Sequence, residues 1–251
     1  MMKNLLLSAA TLFLGTLSFA QANVDITQQI GNLNNANISQ VGNSNENYIT
    51  QTGNRNDAST DQLGSFNYNE SVSTGNRNSI DVTQVGLANE NYTTQVGNRN
   101  DAVVDQNGVI NLSVQNQTGN RNSATNVQDG FFNWSFQNQT GNRNTAESYQ
   151  YGDVNTTFQT QVGNRNYAGA LQLGDFNTAD QFQLGNRNSA VAYQIGDSNV
   201  VSQYQDGNRN FAWDYQQGNN NSIDVTQMGT DHVHYGVQLG NGNSQTIFQS
   251  N

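Results

Sequence analysis

The sequence predicts an all-β chain, a cross-β solenoid with two strands per rung and about ten repeats of 22 residues. Three observations predict it. Glycine recurs every 11 residues from Gly31 to Gly240 without a slip. Gln stands two residues before each of these glycines, Ser73 alone excepted, and Asn stands three residues after, His232 alone excepted. At every second glycine from Gly53 to Gly207 the phrase is Gly-Asn-Arg-Asn, so the full period is 22.

The elements follow in order. Residues 1–20 read as a secretory signal, with Lys3 as the positive start, Leu5 to Leu17 as the apolar run and Ser18-Phe19-Ala20 as a small-x-small cleavage site. Ala20-Gln21-Ala22 offers a second cleavage point. The apolar run is short for a membrane anchor, and nothing resembling a stop-transfer segment follows. Residues 21–251 read as one repeat array without a linker or a shift of composition.

Each seven-residue segment from Asn to Gln reads as a strand, from Asn23–Gln29 at the start to Asn243–Gln249 at the end. Thr, Val, Ile, Tyr and Phe are well represented there, while Leu, Lys and Glu are scarce. With a side-chain period of two, the first, third, fifth and seventh positions share a face. The link between segments, such as Val96-Gly97-Asn98-Arg99, holds Gly and Asn, which tolerate positive φ at a tight corner.

Two pairings use this pattern: an antiparallel meander of hairpins, or a solenoid in which each strand bonds to the strand 22 residues away. The arginine-bearing turn falls at every other corner, so like turns stack only in the second. Identical residues then form ladders at the ~4.8 Å strand spacing, and the column stands about 50 Å tall. The ladder residues are Gln51, Gly53 and Asn56; Gln95, Gly97 and Asn100; Gln139, Gly141 and Asn144; Gln183, Gly185 and Asn188. Ala58, Ala102 and their equivalents at the third position suggest a narrow interior, although either strand face remains open as the inner one. Aromatics such as Tyr48, Trp134, Phe158 and Tyr215 occupy the alternate face, as plain strand surface or as lateral contacts between fibrils.

Composition narrows function. Only 33% of residues are hydrophobic and 11% charged, which rules out a large hydrocarbon core and would signal disorder were the period not strict. Proline is absent, so no backbone N–H of the array is lost to a ring, and cysteine is absent, which removes disulfides and thiol chemistry. A formal charge of −10 argues against nucleic acid and membrane surfaces as partners, and no segment points to membrane insertion.

The arginines Arg55, Arg77, Arg99, Arg121, Arg143, Arg165, Arg187 and Arg209 form a ladder at one corner. It reads as a brake on premature aggregation or as a binder of anionic matrix sugar, with Asp57 and Asp101 near enough to offset its repulsion. His232-Val233-His234 puts two imidazoles on one face without a third ligand cluster, so drift in a late repeat outweighs a metal site. No nucleophile–base–acid set, phosphate loop or calcium-binding nonapeptide occurs, so neither an enzyme nor a cofactor is expected.

The run Gln95-Val96-Gly97-Asn98-Arg99-Asn100-Asp101-Ala102-Val103-Val104-Asp105-Gln106 resembles the curlin repeat of curli fibre subunits, and the resemblance extends over residues 23–251. It implies a secreted bacterial amyloid subunit that polymerises with itself into extracellular fibres for adhesion and biofilm. An outer-membrane export pore and a nucleator subunit are the further partners it implies. In place of the family's second turn glycine this chain has arginine, and it has about twice the usual number of repeats. It also lacks a distinct segment ahead of the repeats that would address the pore. The terminal segments Asn23–Gln29 and Asn243–Gln249 match the internal ones and are the expected assembly strands. A nucleator or minor subunit, and a soluble adhesive or ice-binding solenoid, are the alternatives. An ice-binder calls for a regular Thr-x-Thr file, and the threonines read as scattered (Thr93-Thr94, Thr156-Thr157).

Overall fold

The computed structural model describes residues 22–251; the signal read over residues 1–20 lies outside them. Strands β1 (Val24–Asn32), β2 (Asn35–Asn43), β3 (Glu46–Asn54), β4 (Asp57–Ser65), β5 (Tyr68–Asn76), β6 (Ser79–Leu87) and β7 (Glu90–Asn98) open the array. There follow β8 (Asp101–Val109), β9 (Leu112–Asn120), β10 (Ser123–Phe131), β11 (Trp134–Asn142), β12 (Thr145–Tyr151), β13 (Thr156–Asn164) and β14 (Tyr167–Leu173). It closes with β15 (Thr178–Asn186), β16 (Ser189–Ile195), β17 (Val200–Asn208), β18 (Phe211–Gln217), β19 (Ser222–Thr230), β20 (Val233–Leu239) and β21 (Ser244–Ser250).

Odd strands make one parallel sheet of 11 and even strands another of 10, each strand paired with the one 22 residues away. The pairing is in register throughout, Gln95 beside Gln117 and Gly97 beside Gly119. This is the solenoid, and the hairpin meander is excluded. Successive strands lie in opposite sheets, and the chain crosses between them at each corner.

The corners differ from the sequence reading. The ladder runs through Val96-Gly97-Asn98, so most strands span nine residues and only two, such as Arg99-Asn100, stand between them, their N–H groups bonded to the Asn76 carbonyl and Asn78 Oδ1 of the adjoining rung. Positive φ falls on Gly97 (122°) and Arg99 (57°), not on Asn98. A Cβ on Gly97 would collide with the carbonyl oxygen of Gly119, so the close passage of one corner over the next requires glycine.

The inner face is the Asn–Ala–x–Gln face. Asn100, Ala102, Val104 and Gln106 are all buried, while Asp101, Asp105 and the aromatics of the alternate face point outward. Small side chains at the third position let the sheets approach. Apolar residues gather in two clusters, one around Ile80, Val82, Ala102 and Val104, the other around Ala192, Val201, Ala212, Ile223 and Val225. Between them the interior is amide and hydroxyl groups with single alanines, tolerable only because most of the polar groups are paired.

Candidate functional site

The functional geometry of the described residues lies in files of repeated side chains and in the two ends of the sheets. Gln95 Nε2 donates to Gln117 Oε1 at 2.9 Å and to the Ser79 carbonyl at 2.8 Å. Gln139 and Gln183 do the same, reaching Gln161 and Ser123, and Gln205 and Tyr167. Gln51 donates to the Asn35 carbonyl at 2.9 Å, but the rung above it holds Ser73, where the file breaks. Each glutamine therefore ties rung to rung and sheet to sheet.

The asparagines fix the corners. The Asn100 backbone N–H donates to Asn78 Oδ1 at 3.0 Å, and its side-chain Nδ2 donates to the Gly119 carbonyl at 3.0 Å. Asn56, Asn144 and Asn188 repeat this geometry at Gly75, Gly163 and Gly207. The ladder residues Gly53, Gly141 and Gly185 sit at the same corner, each with positive φ.

A further glutamine file, Gln115–Gln137–Gln159–Gln181–Gln203, runs down the interior of the odd sheet. It ends where Gln203 Nε2 donates to Asp214 Oδ2 at 2.6 Å. Asp214 is fully buried, and its other oxygen lies 2.9 Å from His234 Nε2. Gly236 makes this possible, because a Cβ there would meet the Asp214 carboxylate. Reading His234 as drift missed this pair. The signal was present: Asp214 and His234 belong to inward positions of adjoining even strands. Among the described residues no group of three or more His, Cys, Asp or Glu could hold a metal ion.

At the arginine corner, Arg55, Arg77, Arg99, Arg121, Arg143, Arg165, Arg187 and Arg209 are exposed, each at φ 57–60°. With the neighbouring asparagines they line a groove of about 940 Å³ from Asn98 to Thr230, continued by one of about 520 Å³ from Asn32 to Arg99. The Asn98–Asn120 and Asn120–Asn142 amides form its floor at 2.9 Å. Asp57 and Asp101 make no ion pair with the ladder. Among the described residues its one carboxylate partner is Asp231, 2.6 Å from Arg209, at the corner where the arginine file ends.

Charges on the flat faces are spaced. On the odd sheet Glu46, Tyr68 and Glu90 alternate down one file and Tyr48, Glu70 and Tyr92 down the next. No two of these carboxylates are direct rung neighbours. Tyr68 donates to Glu70 at 3.3 Å, and burial first, then the Glu70 charge, pushes its phenol up to about 12. The even sheet carries Asp61, Asp81 and Asp105 toward its start and Tyr193, Trp213 and Tyr235 toward its end. Burial, followed by the other aspartates, raises Asp81 and Asp105 above the ordinary carboxyl range.

The threonines are not scattered. Thr50 and Thr52 point outward two residues apart on β3, and Thr74, Thr94, Thr118, Thr140 and Thr160 continue the same two files, interrupted by valine and asparagine. The 22-residue stacking aligns threonines from Thr-x-Thr, Val-x-Thr and Thr-x-Val rungs that look unrelated along the sequence.

The expected assembly strands lie at the ends of the sheets. Among the described residues, Asn23 and Gln29 flank or belong to β1, whose one partner strand is β3, and Asn243 and Gln249 flank or belong to β21, whose one partner strand is β19. β2 and β20 have one partner each as well. Residues 24–32 of β1 are exposed along their whole length.

A family model described as the curlin associated repeat matches twice, over residues 53–86 and 75–108. No curated protein matches this chain.

Proposed function

We propose that this is a curlin-repeat protein, secreted and polymerising end to end into extracellular fibres that serve adhesion and a biofilm matrix. The single observation that carries this reading is the pair of open sheet edges among the described residues. Each presents unpaired backbone N–H and C=O groups beside ladders already in register, with no proline, bulge or helix among the described residues to blunt them. A second copy satisfies those groups, and each addition recreates the same edge, so growth is open-ended. Residues 1–20 act as the leader in this reading. Export through an outer-membrane pore and start of growth on a nucleator complete it.

The test uses the purified chain of residues 21–251. Thioflavin-binding fibres with a 4.7–4.8 Å meridional reflection are expected on standing. A folded, stable monomer at concentrations where fibres should grow would sink the proposal. Fibres that appear only after seeding with another subunit would reassign this chain to growth rather than initiation.

The threonine files support a second reading, in which the odd sheet binds an ordered surface such as ice. Inhibition of ice recrystallisation by monomer, lost on Thr118→Lys, is its test.

A further inference from the structure

We propose that successive copies in the fibre are related by a half-turn about its axis. β1 of one copy then extends the even sheet of the copy before it, and β2 extends the odd sheet. This rests on the end-to-end reading above and adds the relation between neighbours that it leaves open.

The strand count comes first. The chain alternates between sheets, and the odd sheet has 11 strands against 10 in the even one. The vacant place following β21 therefore lies on β20. Seating β1 on β21 instead leaves the next β2 two strand spacings from β20, with the edges of both facing a gap. Such a gap strands a row of backbone groups that the half-turn pairs.

Hydrogen-bond phase permits the half-turn. Val24 N–H donates to the Asn45 carbonyl in the odd sheet, and Phe211 N–H donates to the His232 carbonyl in the even sheet, so equivalent positions point the same way in both. Val233 and Ser244 thus aim their N–H groups out of the tail. Asn23 and Asn34 aim their carbonyls out of the head, where the half-turn brings them into line.

Side chains discriminate further. In this register Val24, Ile26 and Ile30 fall beside Val233, Tyr235 and Leu239, all six of them exposed in the single chain. On β21 the same three would meet Ser244, Thr246 and Ser250. Inside, Asp25 falls beside His234, whose Nε2 already engages buried Asp214. The imidazole then lies between two carboxylates, whereas on β21 Asp25 would meet Gln245. Gln29 continues the file of Gln238, Gln40 that of Gln249, and Ile38 stacks on Ile247. The asparagine file of the even sheet stops at His232, beside Asn23 of the next copy.

Cysteine pairs test this cleanly in a chain without native cysteine. Adjacent in-register residues lie about 4.8 Å apart, within disulfide reach. Fibres of Ile26→Cys/Tyr235→Cys are expected to oxidise into a ladder of covalent multimers, and fibres of Ile26→Cys/Thr246→Cys to remain monomeric on reducing-agent-free gels. All three positions are outward-facing and terminal, so folding is spared. Cross-linking of 26 to 246, or of neither pair in well-formed fibres, overturns the half-turn and leaves end-to-end growth standing. Absence of fibres from the unmodified chain overturns both. Electron cryomicroscopy gives an independent check: the half-turn doubles the axial repeat from about 50 to about 100 Å.

Discussion

Gln139 Nε2 lies 2.9 Å from Gln161 Oε1 and, with its second hydrogen, 2.9 Å from the Ser123 carbonyl of the other sheet. Gln117 in turn donates to Gln139 Oε1 at 3.0 Å. One amide thus satisfies three other groups in an interior with little apolar area to offer.

Gln139→Leu leaves the Gln117 donor, the Gln161 acceptor and the Ser123 carbonyl each short of a bond. At about 1–3 kcal/mol for a buried unsatisfied group, the loss is at least about 3 kcal/mol. Urea unfolding of the monomer, or of fibres back to monomer, measures it. Gln51→Leu is the control, expected to cost less because Ser73 already interrupts that file.

Gly97→Ala should be worse tolerated than any alanine change on the outer face. Its φ of 122° lies outside the comfortable range of an L side chain, and the added methyl collides with the Gly119 carbonyl. Backbone strain alone costs about 1–3 kcal/mol. Loss of the corner hydrogen bonds adds to it. The expected outcome is a lowered unfolding midpoint and slower fibre growth, while Thr94→Ala on the neighbouring outer face leaves both near wild type.

The repeat made much of this legible in advance. An 11-residue glycine frame with a 22-residue arginine frame is enough to give two strands per rung and their pairing. It did not give the inner face, since Asn-Ala-x-Gln is nearly as polar as its alternate and burial there depends on amide pairing that composition does not reveal. It misplaced the corner, because Asn is the familiar left-handed residue and Arg is not; yet Asn100 and its equivalents bind the next carbonyl and leave the left-handed place to Arg99. Asp214 with His234, and the threonine files, are neighbours only across 20 or 22 residues, so they emerge once the register is known.

Arg99 in the left-handed region is locally unfavourable, by about 1–2 kcal/mol for an ordinary residue. Asparagine accepts that conformation at lower cost and also removes one like charge from the ladder. Arg99→Asn is expected to raise the unfolding midpoint and shorten the lag of fibre formation at low salt, with less effect on the lag at high salt, where the repulsion is screened. Ile110→Asn, on the opposite corner at φ 56°, should stabilise by at least as much, since β-branching makes the left-handed conformation harder still. An unchanged or lengthened lag for Arg99→Asn would show that the arginines do not restrain assembly.

Asn126 is buried with neither side-chain atom hydrogen-bonded, in the file that carries Val82 and Val104. Asn126→Val removes two unsatisfied groups and continues the valine file, so stability should rise by about 1–3 kcal/mol. The same change at Asn122, whose amide donates to the Gly141 carbonyl at 2.9 Å, should fall by a similar amount. Opposite signs for two asparagines four residues apart is the outcome that identifies pairing, and not polarity as such, as what the interior demands.

The pH dependence follows from Asp81 and Asp105, whose carboxyls are raised in the folded chain by burial first and by neighbouring aspartates second. A raised acid binds a proton in the folded state at a pH where the unfolded chain has already released it. Stability therefore increases as pH falls from above the raised value to the ordinary carboxyl value near 3.8, and is lost again as pH rises back through that window. Asp180, raised by burial, acts in the same direction. The Arg209–Asp231 pair opposes them, but it is exposed and contributes little. Denaturation midpoints taken from pH 4 to pH 7 should decline with rising pH, and the decline should shrink in Asp81→Asn/Asp105→Asn. Midpoints that climb toward neutral pH would mean that the aspartate face is stabilised by its charge, contrary to the burial and the neighbouring aspartates that raise these carboxyls.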